Sequence, residues 1–171
     1  MRALVVYESM FGSTEEVARS VAKGLSGRMH VDVLNVDDAP DDLAGVDLVV
    51  AGGPTHVHGL TGKRTRDAAA QQAGERPLHS RKRGLREWLE GLATASPGTR
   101  AVTFDTRIDK PAWLTGSAAR AAAKRLRRKG YRVSAAPESF FVTGKEAGDL
   151  HPGELERARS WGESLGDRAD G

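Results

Sequence analysis

Ser9, Gly12, Ser13 and Thr14 stand where a short apolar run, Leu4 to Tyr7, gives way to a helical period marked by Val17, Val21 and Leu25. Hydroxyl side chains around a glycine at such a junction suit anion binding. The first N–H groups of a helix lack internal partners, the helix dipole is positive there, and glycine lets the backbone close around a ligand. The stretch Ser9-Met10-Phe11-Gly12-Ser13-Thr14 could therefore hold a phosphate. The same residues also describe an ordinary capped helix start, with Ser13 or Thr14 as N-cap and Glu15 and Glu16 favouring the dipole. Two common phosphate loops are excluded. The only Gly-Lys pairs, Gly62-Lys63 and Gly144-Lys145, precede Arg64 and Glu146, so GxxxxGK[ST] is missing, and no GxGxxG follows the first apolar run.

Two further constellations carry chemistry. His56 and His58 are spaced so that both imidazoles can address one ligand or metal, although no third metal ligand lies nearby in sequence. Arg107, between Asp105 and Asp109, is either a cation aimed at a ligand or one half of an ordinary loop ion pair. Cysteine is absent, which excludes disulfides, thiolate catalysis and cysteine-held zinc or iron–sulfur clusters.

The elements that position these residues follow from the apolar pattern. Leu4–Tyr7, Val31–Val36, Leu48–Ala51, Ala101–Phe104 and Phe140–Val142 read as five short strands. Their unbroken apolarity suits strands covered on both faces. Between them lie helical stripes at Val17, Val21 and Leu25, at Leu85, Trp88, Leu89 and Leu92, and at Ala118, Ala122 and Leu126. A last stripe, Leu155, Ala158, Trp161 and Leu165, is entered through Pro152. Strand and helix in alternation predict right-handed crossovers around a parallel sheet, hence one open, doubly wound α/β domain over residues 1–171. In such a sheet the three loops 9–14, 54–59 and 105–107 share the carboxyl rim, where ligands collect. Residues 54–83 lack an apolar period and form a long basic connection, in which RTRDAAAQQA could make a short polar helix. Trp88, Trp113 and Trp161 are expected to pack in or against the core.

Charge is unevenly distributed. Eight Lys or Arg fall between Leu60 and Arg86 and seven between Arg120 and Arg132, whereas Asp37, Asp38, Asp41, Asp42 and Asp47 crowd one segment. Opposed fields on different faces are expected. The 120–132 cluster also has the chemistry of a helix end before Gly130, and without interleaved aromatics it is a poor candidate for nucleic acid. The N-terminal apolar run is too short for a signal peptide, and no stretch is long enough to span a membrane, so a cytoplasmic protein is expected.

YESMFGSTEEVA and GGPTHVHG, together with the fivefold β/α alternation, resemble the flavodoxin-like flavoproteins over nearly the whole chain. The resemblance implies a three-layer fold with strand order 2-1-3-4-5 and FMN as cofactor. It places Ser9, Met10, Phe11, Gly12, Ser13 and Thr14 around the FMN phosphate. The flavin ring would lie between Pro54, Thr55, His56, Val57, His58 and Gly59 on one side and Phe104, Asp105, Thr106 and Arg107 on the other. The family often brings Trp or Tyr to the ring from the first of these loops, where this chain offers His56 and His58. It often has glycines in the second, where this chain reads FDTRIDKPAW.

An electron-transfer protein is the leading expectation, since no acid, base or nucleophile set can be assembled from the sequence. The alternative is an FMN-dependent NAD(P)H oxidoreductase acting on a quinone or similar acceptor, with the long loop as a lid. A flavin-free binding or regulatory module is a third. Arg107 and the basic loop predict a flavin less reducing than in acidic carriers, and a redox partner protein or small acceptor that is acidic or anionic.

Overall fold

A computed structural model of the chain describes residues 1–56, 59–74, 78–144 and 148–168. Strands β1 (Arg2–Tyr7), β2 (His30–Asn35), β3 (Leu48–His56) and β5 (Arg100–Ile108) form a parallel sheet in the order β2-β1-β3-β5. The fifth place is shared by two short strands. β6 (Arg132–Val133) pairs with the start of β5, and β7 (Glu138–Val142) with its end. Pro137, which has no N–H for a ladder, lies in the gap between them. The order 2-1-3-4-5 therefore holds, with the last position filled in two pieces. β4 (Gly59–Leu60) folds back antiparallel on Thr55 and His56.

Alternating residues of β1 feed two cores. Leu4 and Val6 face α3 (Leu85–Gly91) and α5 (Ala118–Arg128), packing with Trp88, Leu89, Ala122 and Leu126. Ala3, Val5 and Tyr7 face α1 (Ser13–Leu25) and α6 (Glu154–Asp167), packing with Val17, Val21, Phe104, Phe140 and Leu165. Phe104, Phe140 and Trp161 meet edge to face, with ring centroids 6.0–6.3 Å apart. Glycine permits the close crossing of α1 and α6. A Cβ on Gly162 would stand 2.2 Å from the Val21 carbonyl oxygen, and one on Gly24 2.1 Å from that of Arg159.

Three expectations need correction. β3 and β5 continue past their last apolar residues into polar ones, because β4 pairs with the end of β3 and β7 with that of β5, so residues 54–56 and 105–107 are strand and not loop. The polar helix read in RTRDAAAQQA is present as α2 (Lys63–Ala73), and α4 (Ala112–Thr115) adds a single turn. Leu155 stands on the outer side of its helix, 41% exposed, and Trp113 is 84% exposed, on α4. Finally, the acidic segment and the basic residues 81–83 are not on opposed faces. Asp37 accepts the backbone N–H groups of Arg81, Lys82 and Arg83 at 2.6, 2.9 and 3.1 Å, and Arg83 pairs with Asp41 at 2.7 Å. Residues 81–83 are thereby paired with the acidic segment.

Candidate functional site

β1 delivers the chain to Glu8 and Ser9, both fully buried, at the carboxyl edge of the sheet beside the switch point where β2 and β3 flank β1. The Ser9 hydroxyl accepts the Gly12 N–H at 3.0 Å, and Gly12 turns the chain into α1 with φ of +108°, a left-handed value that favours glycine. Helix α1 has no side-chain cap. The two candidate caps are engaged elsewhere. Ser13 Oγ donates to the Gly148 carbonyl at 3.0 Å, and Thr14 Oγ1 shares a 2.7 Å hydrogen bond with Thr106 Oγ1. The N–H groups of Met10, Phe11, Ser13 and Thr14 have no hydrogen-bond partner among the described residues, although Met10 and Thr14 are buried. Unpaired donors at a positive helix end are the group an anion satisfies.

A second segment supports this loop from behind. The N–H groups of His79 and Ser80 donate to the carbonyls of Met10 and Ser9 at 3.2 and 2.9 Å. Ser80 Oγ accepts the Ser9 N–H at 3.0 Å and donates to Asn35 Oδ1 at 3.0 Å, while Asn35 Nδ2 donates to the His79 carbonyl at 2.8 Å. His79 Nδ1 lies 2.6 Å from Glu15 Oε2. Burial pushes the Glu15 carboxyl up, but hydrogen bonds from His79 and Arg19 outweigh it and hold the group below its ordinary value. Beneath the loop, Glu8 Oε1 accepts from Thr61 Oγ1 at 2.5 Å and Oε2 from the Leu85 N–H at 2.8 Å. Burial raises the pKa of Glu8 against both of those bonds.

The loop opens on a cleft of about 400 Å³, of the size that holds small ligands. Ser9, Met10, Phe11, Ser13 and Thr14 line it from one side. Pro54, Thr55 and His56 line it from β3, Thr106, Arg107 and Ile108 from β5, and Leu114 and Thr115 from α4. Val142, Gly144 and Gly148 complete the wall. Arg107 is held in place: Nε donates to Ser139 Oγ at 3.0 Å, the guanidinium lies 5.1 Å over the Phe141 ring, and Asp105 Oδ1 is 3.9 Å away. The ion pair with Asp105 and the cleft position thus coexist.

Not every expected residue reaches the cleft. Phe104 is fully buried in the core against Gly52. Asp105 turns toward α5, where its Oδ2 accepts from Thr55 Oγ1, Ser117 Oγ and the Ala119 N–H at 3.0, 2.6 and 3.0 Å. Gly59 is buried within β4. Val57 and His58 lie outside the described residues, and with His58 the two-histidine metal reading. The sequence reading missed Ser80, His79 and Asn35, which no local pattern distinguishes from turn residues, and Leu114 and Thr115, which follow the polar stretch after β5.

The flavodoxin family model matches residues 5–96. No curated protein sequence matches the chain. Among solved structures, oxidised flavodoxin 2 from Bacillus cereus is 15% identical with a TM-score of 0.69, covering 98% of this chain and 99% of that one. A flavodoxin from the domain Archaea is 15% identical with a TM-score of 0.66 and covers 100% of both chains. The flavodoxin of Streptococcus pneumoniae TIGR4 is 17% identical with a TM-score of 0.66, covering 98% and 99%. At these identities the structural likeness establishes the fold.

Proposed function

The chain belongs to the flavodoxin family, whose cofactor is FMN, and from that premise we propose that it carries electrons on an FMN held in this cleft. The observation that carries the reading is the set of N–H groups at Met10, Phe11, Ser13 and Thr14 left unpaired among the described residues, at a helix start without a side-chain cap, which suits a phosphate dianion. Ser9 and Ser80 hold the loop open, and the Thr14–Thr106 hydroxyl pair ties it to β5. Pro54, Thr55 and His56 from β3, Thr106 and Arg107 from β5 beside it, and Leu114 from α4 line a cleft of a size that suits a flat ring. Bound FMN supplies reversible redox chemistry. The guanidinium of Arg107, 11% exposed and therefore weakly screened by water, favours extra negative charge on whatever lies beside it.

A carrier needs no general base, and among the described lining residues only His56 is of a type that titrates near neutral pH. His56 is also what favours the alternative, an FMN-dependent NAD(P)H oxidoreductase acting on a quinone, since an imidazole on the cleft wall can contact a substrate. The two separate in one experiment. FMN-loaded protein mixed with NAD(P)H and a quinone should give no sustained turnover, yet should pass electrons once a reductase is added. Steady NAD(P)H consumption by the protein alone would select the oxidoreductase.

A further inference from the structure

From Lys110 to Pro137 the chain carries eight Lys or Arg and no acid. The basic segment at 81–83 is clasped by Asp37 and Asp41, but no described acid pairs with Arg120, Lys124, Arg127 or Arg128 within ion-pair distance. All four are exposed on α5, whose core side is Ala118, Ala119, Ala122, Ala123 and Leu126. Arg120, Lys124 and Arg128 recur every fourth residue and make a stripe of about 12 Å at 1.5 Å per residue. The stripe begins at the site. The α5 N-terminus is bonded to Asp105 and Thr55, and two residues earlier α4 places Leu114 on the cleft wall and Trp113 in solvent.

An exposed aromatic and an exposed leucine at the mouth of the cleft, bordered by Lys110 and the α5 stripe, have the anatomy of an interface: an apolar centre with a charged rim. Resting on the proposed FMN carrier, we propose that the α4–α5 face is the docking surface for an acidic redox-partner protein, with Trp113 and Leu114 at its centre and Arg120 and Lys124 steering the encounter. Charge complementarity selects the acidic partner, since like-charge contact along four unneutralised cations would repel a basic one. The apolar centre favours a protein over nucleic acid, as does the lack of aromatic side chains along α5 for bases to stack on.

The test uses FMN-loaded protein and two haem proteins of opposite surface charge: acidic ferricytochrome b5 and basic ferricytochrome c. In the reaction one electron leaves the chemically reduced flavin and the haem iron passes from ferric to ferrous. The second-order rate with the acidic probe should fall steeply with added salt, and in Arg120→Glu/Lys124→Glu it should be about tenfold lower at low salt. Lys23→Glu, on α1 across the sheet, should leave it unchanged. Binding of oxidised protein to immobilised cytochrome b5 should weaken in parallel, a readout that needs no electron transfer. FMN uptake by each variant is measured separately, so loss of the carrier reading is distinguished from loss of the docking surface. Equal rates and equal binding in wild type and the α5 variant would overturn the proposal, as would faster reaction with the basic probe at low salt. Binding of a short DNA duplex, lost in the α5 variant while cytochrome b5 binding is weak, would overturn it in favour of nucleic acid.

Discussion

Replacing Ser80 by alanine removes an atom that never touches the cleft and should still weaken FMN binding. Ser80 Oγ accepts the N–H of Ser9 and donates to Asn35 Oδ1, and both serines are fully buried. In Ser80→Ala the Ser9 N–H loses its only acceptor, and a buried donor without a partner costs about 1–3 kcal/mol. Asn35 Oδ1 retains the Asp37 N–H at 3.0 Å, so the loss concentrates on Ser9. The ligand-free protein can relieve part of it by letting the loop shift toward water. Bound phosphate requires the loop as it stands, so the part relieved in the free protein reappears as lost affinity. The ceiling is the full cost, about 5- to 150-fold in Kd. Urea unfolding of the ligand-free variant and its titration with FMN together measure the two shares. Their sum should fall within about 1–3 kcal/mol. A variant with unchanged stability and unchanged Kd would refute the reasoning that the 79–80 segment holds the loop.

Three other outcomes follow from the same geometry. Because burial raises the folded-state pKa of Glu8, its contribution to stability is fully present below the unfolded carboxylate value and is lost as pH rises through the folded one. Wild type should therefore lose stability relative to Glu8→Gln as pH rises in urea titrations, and a relative gain would contradict this. Arg107→Ala should make the midpoint potential of bound FMN more negative in a redox titration, whereas an unchanged potential would show that Arg107 does not face the ring. Gly162→Ala would drive a Cβ to 2.2 Å from the Val21 carbonyl oxygen, so calorimetry should record a loss of about 1–3 kcal/mol or more as α1 and α6 separate. An unchanged melting temperature would mean that the two helices do not cross there.

The core was legible because it is written in local pattern. Val17, Val21 and Leu25 recur at helical spacing, and all three are fully buried. That residues 9–14 form the turn from β1 into α1 was legible for the same reason: the signal sits in adjacent residues. What escaped depends on pairing at long range. Nothing near Thr106 or Arg107 indicates that β7, some thirty residues on, extends β5 through them, and nothing near Ser80 indicates that it lies against Ser9. For residues 81–83 the expectation of opposed charge failed likewise, since their clasp of Asp37 spans more than forty positions. Trp113 was expected to pack in or against the core. It stands exposed because α4 is a single turn with no buried residue.

The central claim is that the loop from Ser9 to Thr14 holds the phosphate of FMN. The direct measurement is titration of the ligand-free protein with FMN and with riboflavin, which has the same ring and no phosphate, following flavin fluorescence. The account predicts FMN bound at least about 100-fold more tightly, the equivalent of two or more charge-assisted hydrogen bonds from the loop. Equal affinities would contradict it, and failure to bind either ligand would leave a flavin-free module on this fold as the surviving reading.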